Sequence, residues 1–217
     1  MAKFIDCSHL IENGMTTYPG LPGPNIGEHL SRADSRSHYQ EGTEFQIGTI
    51  SMVANTGTYL DTPFHRYAEG HDLADLPLTK VANLEGICIS VEGPRIEAEV
   101  LNDHDLSGCA VLFHTGWDRY WGTERYGSAE HPYLGEEAIE LLVRAGAGLV
   151  GIDSVNIDDT SGGSRPAHSR FLGAGIPIVE HLTGLGQLAG SAFRFFAVPP
   201  KVRSLGTFPV RAFAILD

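Results

Sequence analysis

The chain has 217 residues, 42% of them hydrophobic and 19% charged, the balance of an ordinary globular protein with one large core or at most two small ones. Acidic residues outnumber basic ones 27 to 15, and the net charge of −12 excludes a nucleic-acid backbone as partner, which would require a basic face. A chain of this length buries roughly 70% of the surface its unfolded form exposes, so any metal it holds serves chemistry rather than folding.

Lys3 to Ser8 reads as an opening strand. Glu12-Asn13-Gly14 and Tyr18-Pro19-Gly20-Leu21-Pro22-Gly23-Pro24 follow, too dense in proline and glycine for regular structure. Residues 28–43 are polar and carry no clear period. Phe45 to Ala54 places Phe45, Ile47, Ile50 and Met52 among small and β-branched residues, which predicts a strand. Leu84 to Val91 and Cys109 to Phe113 predict two more. Glu136 to Ala145 has apolar residues at 138, 139, 141, 142 and 145 and stops at Gly146, the pattern of an amphipathic helix. Gly148 to Ile152 is a short buried strand with Asp153 at its end. Pro166 to Leu172 reads as a helix with proline in its first turn, stopped by Gly173-Ala174-Gly175. Ile176 to Val179 is a strand ending on Glu180, and Phe193 to Val198 and Val210 to Leu216 are the last two. Helix–strand alternation between residues 135 and 180, with strands at both ends, predicts one α/β domain over 1–217 with a mixed sheet.

Cys7, Cys88 and Cys109 are odd in number, form no CxxC pair and lie beside apolar runs. They read as buried, reduced thiols, with a nucleophile as the alternative. No signal-peptide core opens the chain and no apolar run reaches membrane-spanning length. The expected setting is the cytoplasm, with a small molecule as partner rather than a membrane or nucleic acid.

Three segments carry groups fit for chemistry. Asn55-Thr56-Gly57-Thr58-Tyr59-Leu60-Asp61-Thr62-Pro63-Phe64-His65 sets a carboxylate four residues before an imidazole. Pro63 has no N–H for a ladder, so the segment must leave the sheet there and project its side chains. Such a pair suits metal binding or proton transfer; alternatively Asp61 caps loop N–H groups beside a surface histidine. His168, on the predicted helix, and Glu180, at the end of the next strand, can converge because a helix–turn–strand unit folds back on itself. Asp153, Asn156, Asp158 and Asp159 follow a buried strand, but their spacing is not that of an EF-hand, and they read as a structural loop. Ser154 lacks a G-x-S-x-G setting. His9, His29, His38, His71, His104, His114, His131 and His181 show no ligand spacing and read as surface or satisfied histidines.

Together these segments resemble the cyclase family of metal-dependent hydrolases that includes bacterial kynurenine formamidase and isatin hydrolase. The family pattern H-x-G-T-H-x-D-x-P-x-H stands here as N-T-G-T-Y-L-D-T-P-F-H, from Asn55 to His65. Thr16-Thr17-Tyr18-Pro19-Gly20, Val150-Gly151-Ile152-Asp153-Ser154, and His168 through Gly175-Ile176-Pro177-Ile178-Val179-Glu180 match further family segments in the same order. The resemblance implies a swivelling β/β/α domain, a homo-oligomer (dimer or tetramer), and hydrolysis of small amides or lactams with zinc or manganese, often as a pair of ions. It implies Asp61 as the bridging carboxylate, His168 and Glu180 as the later ligands, His65 as general acid–base and Tyr18 as an aromatic substrate contact.

Asn55 and Tyr59 stand where the family has two histidine ligands. An asparagine oxygen is a weak ligand for zinc, and a phenol binds well only once deprotonated. Asp61, His168 and Glu180 remain, enough for one divalent ion, zinc or manganese. The expectation is therefore a one-metal hydrolase of a small cyclic or formyl amide, or of a lactone, with Asn55 and Tyr59 as polar contacts to substrate at the reacting centre. The alternatives are a metal-free lyase, isomerase or cyclase using Asp61, Tyr59 and His65 for proton transfer, and a silent binding protein.

Overall fold

The structure is a computed structural model and describes residues 2–216. In chain order its elements are β1 (Lys3–Asp6), β2 (Asn25–Leu30), α1 (Arg32–Ser35), β3 (Ile47–Ser51), β4 (Tyr59–Asp61), β5 (Leu84–Ser90), β6 (Arg95–Ile96) and β7 (Ala110–His114). There follow β8 (Tyr133–Leu134), α2 (Glu136–Ala145), β9 (Leu149–Ile152), α3 (Pro166–Gly173), β10 (Ile178–Glu180), β11 (Phe193–Phe196), β12 (Thr207–Pro209) and β13 (Phe213–Leu216).

Nine strands form one mixed sheet in the order β1-β13-β11-β5-β7-β9-β10-β4-β12. The central run β5-β7-β9-β10 is parallel, and the strands on either side are antiparallel. Both faces of the centre are buried, which is why β7 is a continuous apolar run rather than an alternating one. Val111 and Phe113 pack on the helical face with Ile139, Leu142, Phe171 and Leu172, while Ala110 and Leu112 pack on the other with Leu60, Val179 and Phe195. Gly146, with φ of 73°, ends α2 by donating to the carbonyls of Leu142 and Val143, as its place after the last apolar residue predicts.

The α/β class, the mixed sheet and both long helices agree with the expectation. Other elements differ from it. The strand predicted over Phe45 to Ala54 is only Ile47–Ser51, and it leaves the main sheet to pair with β2 in a separate two-stranded ribbon. β2 and α1 lie at or inside the polar stretch that shows no period. β4 lies in a segment that no predicted strand covers, yet it is an inner strand of the sheet, between β10 and β12. The two-residue β6 and β8 and the three-residue β12 are too short to give a periodic signal. Among the described residues no helix is long and apolar enough to cross a membrane.

Candidate active site

The register of three strands gathers the polar groups. Tyr59 lies opposite Glu180 and Asp61 opposite Ile178 in the β4/β10 pair, and Thr207 lies opposite Asp61 in the β12/β4 pair. Directly paired residues project to the same face, so Tyr59, Asp61, Glu180 and Thr207 all stand on one side of the sheet. That side carries α3, whose Ala167, Phe171 and Leu172 seat it in the core and bring His168 over the carboxylates. Pro63 opens a short 3-10 turn, Pro63–His65, and lifts the chain off the sheet as expected.

His168 is buried, and its two nitrogens face different carboxylates. Nδ1 is 2.7 Å from Asp158 Oδ2. Nε2 lies 3.8 Å from Asp61 Oδ2 and 3.7 Å from Glu180 Oε1. Ligands at about 2.1 Å around a tetrahedral ion sit roughly 3.4 Å from one another, so each carboxylate stands near ligand spacing from His168. Asp61 Oδ2 is buried with no hydrogen-bond partner, an orphan that a bound cation would satisfy. Two carboxylates and one imidazole suit a divalent ion, so the residues present fit the metal that the family implies. Burial works against charge on His168, yet Glu180, Asp158 and Asp61 outweigh it and lift the imidazole to about 9. Burial, opposed by His168 and reinforced by Asp61, holds Glu180 above the usual carboxylate range.

Tyr59 has one specific engagement. Its hydroxyl donates to Glu180 Oε2 at 2.7 Å, while Glu180 Oε1 accepts the Ile157 N–H at 2.7 Å. Burial, with Glu180 and Asp61 next, raises the phenol well above its ordinary range, so it stays protonated. Asn55 lines the cleft with it.

On the other side of Asp61 stands His65. Thr207 Oγ1 makes a very short hydrogen bond to Asp61 Oδ1 and lies 2.8 Å from His65 Nδ1. A hydroxyl has one proton. If Thr207 donates it to the carboxylate, it accepts from His65 Nδ1–H, which leaves Nε2 as the basic nitrogen. The His65 side chain is 34% exposed and lines the cleft. Donor atoms of Asp61, His65 and His168 all lie within 4.8 Å of one another. Asp61 reaches both, with Oδ2 toward His168 and Oδ1 toward His65 and Thr207, and the two imidazole ring centroids lie 5.9 Å apart, so His65 is within reach of the same ion.

The cleft has a volume of about 710 Å³, room for a small molecule. Tyr18, Asn55, Tyr59, His65, His168 and Glu180 line it, and Asp61 lies beneath. All seven residues singled out in the sequence thus meet in one place. Sequence reasoning missed the parts played by Asp158 and Thr207. Asp158 was assigned to a structural loop; it also accepts the N–H groups of Ala167 and His168 at the start of α3. A carboxylate shortly before a Pro-initiated helix was the available signal. Thr207 had none.

Two of the histidines read as surface or satisfied are satisfied at most in part, His181 through Nδ1, 3.1 Å from the Tyr126 hydroxyl. His181 is fully buried at φ of 58°, and His9 stacks on Trp121 with ring centroids 3.8 Å apart; Nε2 of each has no partner. The thiols follow expectation: Cys7 and Cys109 are buried, Cys88 partly so, and all are free. Burial pushes Cys7 and Cys88 up to about 12, which disqualifies them as nucleophiles.

The family model described as "Putative cyclase" matches residues 5–159, so the chain belongs to the cyclase family. Among curated relatives it is 28% identical to the kynurenine formamidase of Geobacillus thermodenitrificans over 214 residues, 98% of this chain and 97% of that one. It is 25% identical to the kynurenine formamidase of Bacillus cereus over 216 residues, 97% and 96% of the two chains. Among solved structures, isatin hydrolase A of Labrenzia aggregata bound to benzyl benzoate superposes with a TM-score of 0.83 at 19% identity, covering 99% of this chain and 93% of that one. A potential metal-dependent hydrolase with cyclase activity gives 0.78 at 22%, covering 99% and 98%. These two likenesses establish the cyclase-like fold.

Proposed function

We propose that the protein is a hydrolase of non-peptide C–N bonds, acting on a small cyclic or formyl amide, or a lactone, with one divalent metal held by Asp61, His168 and Glu180. The observation that carries this reading is the buried set itself, with Asp61 Oδ2 unpartnered and His168 Nε2 facing both carboxylates. The ion, zinc or manganese, would polarise the substrate carbonyl and lower the pKa of a bound water. Kynurenine formamidases among the relatives support amide hydrolysis.

The chain's own residues supply the rest. Asp158 holds His168 with Nε2 turned to the carboxylates. Thr207 orients His65, whose Nε2 takes a proton from the attacking water and returns it to the leaving nitrogen. Tyr59 places an O–H on Glu180 Oε2, where a second cation would otherwise be needed, and this supports one ion rather than two. Asn55 and Tyr18 face the cleft as substrate contacts. The metal-free reading is the weaker, because it asks Tyr59 to release a proton that its burial and its carboxylate neighbours hold in place. A homo-oligomer belongs to the same reading, supported by the apolar Ile26, Ile47 and Ile50 that the β2–β3 ribbon leaves exposed.

A panel of formyl amides, lactams and lactones tests the function, with Asp61→Ala and Glu180→Ala as controls. Turnover that falls at least ~100-fold in both variants and after chelation is expected, the scale of losing a metal-held nucleophile. Turnover indifferent to chelators contradicts it.

A further inference from the structure

Two guanidinium groups line the cleft, Arg165 at the start of α3 and Arg66 just after the Pro63–His65 turn. In a chain of net charge −12 carboxylates are plentiful, and among the described residues seven of the twelve arginines pair with one. Neither Arg165 nor Arg66 is among them. Arg66 reaches only the Ser169 hydroxyl, at 3.4 Å, and the Tyr67 ring.

Arg165 is the better organised. Its Nη1 donates to the carbonyls of Asp159, Gly162 and Ser164 at 3.1, 2.9 and 2.6 Å. These carbonyls are neutral and hold one end of the guanidinium, while the nearby Asp159 carboxylate feels its charge without pairing with it. Tyr18 lines the same cleft, close enough to feel the guanidinium charge. A cation held rigid by its own loop loses little freedom on binding an anion, and its fork matches a carboxylate in two hydrogen bonds. Glu136 also lines the cleft.

We propose that the cleft selects substrates bearing a carboxylate, which Arg165 receives beside Tyr18, with Arg66 as a second cation at the rim. The carboxylate would be a part of the substrate other than the bond that reacts. The proposal rests on the amide-hydrolase reading for what is cleaved, but not for what is bound.

Binding and turnover therefore separate the two. Calorimetry on the metal-loaded protein compares 2-acetamidobenzoate with acetanilide, a pair differing only in the carboxylate. The anionic probe is expected to bind ~10–100-fold more tightly, the span of a charged bidentate contact. Arg165→Gln should bring that ratio toward one. Arg165→Lys should keep part of it, and Arg66→Gln should lower it ~2–3-fold, a screened rim charge. Equal binding of the two probes by the unaltered protein overturns the proposal, as does binding of neither. An Arg165→Gln variant that weakens both probes by the same factor also overturns it, since that is the mark of a merely structural loop residue. Turnover of formanilide and 2-formamidobenzoate is followed in parallel. If neither is hydrolysed while the binding preference holds, the hydrolase reading fails and the carboxylate site stands.

Discussion

Asp158 does not line the cleft, yet it decides how His168 faces it. Its carboxylate fixes Nδ1 and caps two N–H groups of α3, so Asp158→Asn should weaken metal affinity about 10–100-fold, the usual cost of losing an outer partner. Competition against a chromophoric chelator reads this directly. His181 makes a different prediction at the same scale. Burial, with His9 and His131 adding to it, lowers His181 to about 3. The unfolded chain takes up a proton near the ordinary value of 6.5, whereas the folded chain does not. Stability is therefore lost as pH falls below about 6.5, at about 1.4 kcal/mol per unit for this one group. Asn tolerates the left-handed backbone at this position, so His181→Asn should unfold with a shallower acid slope in urea titrations at pH 5 to 7. An unchanged slope would assign the acid lability to other groups. Neither role was legible in the sequence. Asp158 is one of three aspartates in a short loop, and nothing local marks which of them reaches the helix. A histidine enclosed by Tyr59, Trp121 and Tyr126 looks like any other until those distant rings converge.

At the scale of elements, the contact between β12 and the Pro63–His65 turn is the tightest fit at the site. A Cβ on Gly206 would run into the backbone of Phe64 and His65, and the carbonyl of Gly206 already accepts both the N–H and the hydroxyl of Thr62. Gly206→Ala must move either Thr207 or His65. It should cost about 1–3 kcal/mol of stability, as overpacking does, and lower kcat while the metal content stays unchanged. Thermal unfolding with metal analysis on one preparation checks both parts. The elements that were legible share one property: their side chains serve packing. The apolar runs of β5, β7 and β9 and the helical period of α2 state their burial outright. β4 is silent because Tyr59 and Asp61 face the site and only Leu60 faces the core, so a three-residue strand presents itself as a loop. The misplacement of β3 has the converse cause. Its Ile47 and Ile50 are apolar but exposed, on a ribbon outside the main sheet.

For the molecule as a whole, the sheet brings together residues 61, 180 and 207 from three neighbouring strands, and the helix adds residue 168. The motif from Asn55 to His65 was legible as an altered metal pattern from the order of its residues alone. What its two replacements do required the register, which sets Tyr59 opposite Glu180 and puts a proton where the family pattern implies a second ion. The central claim is thus one of stoichiometry. Protein stripped of metal and reloaded with excess manganese or zinc should retain one equivalent per chain after gel filtration, measured by inductively coupled plasma mass spectrometry, and Asp61→Ala should retain none. Two equivalents in the unaltered protein, or none, would contradict the account.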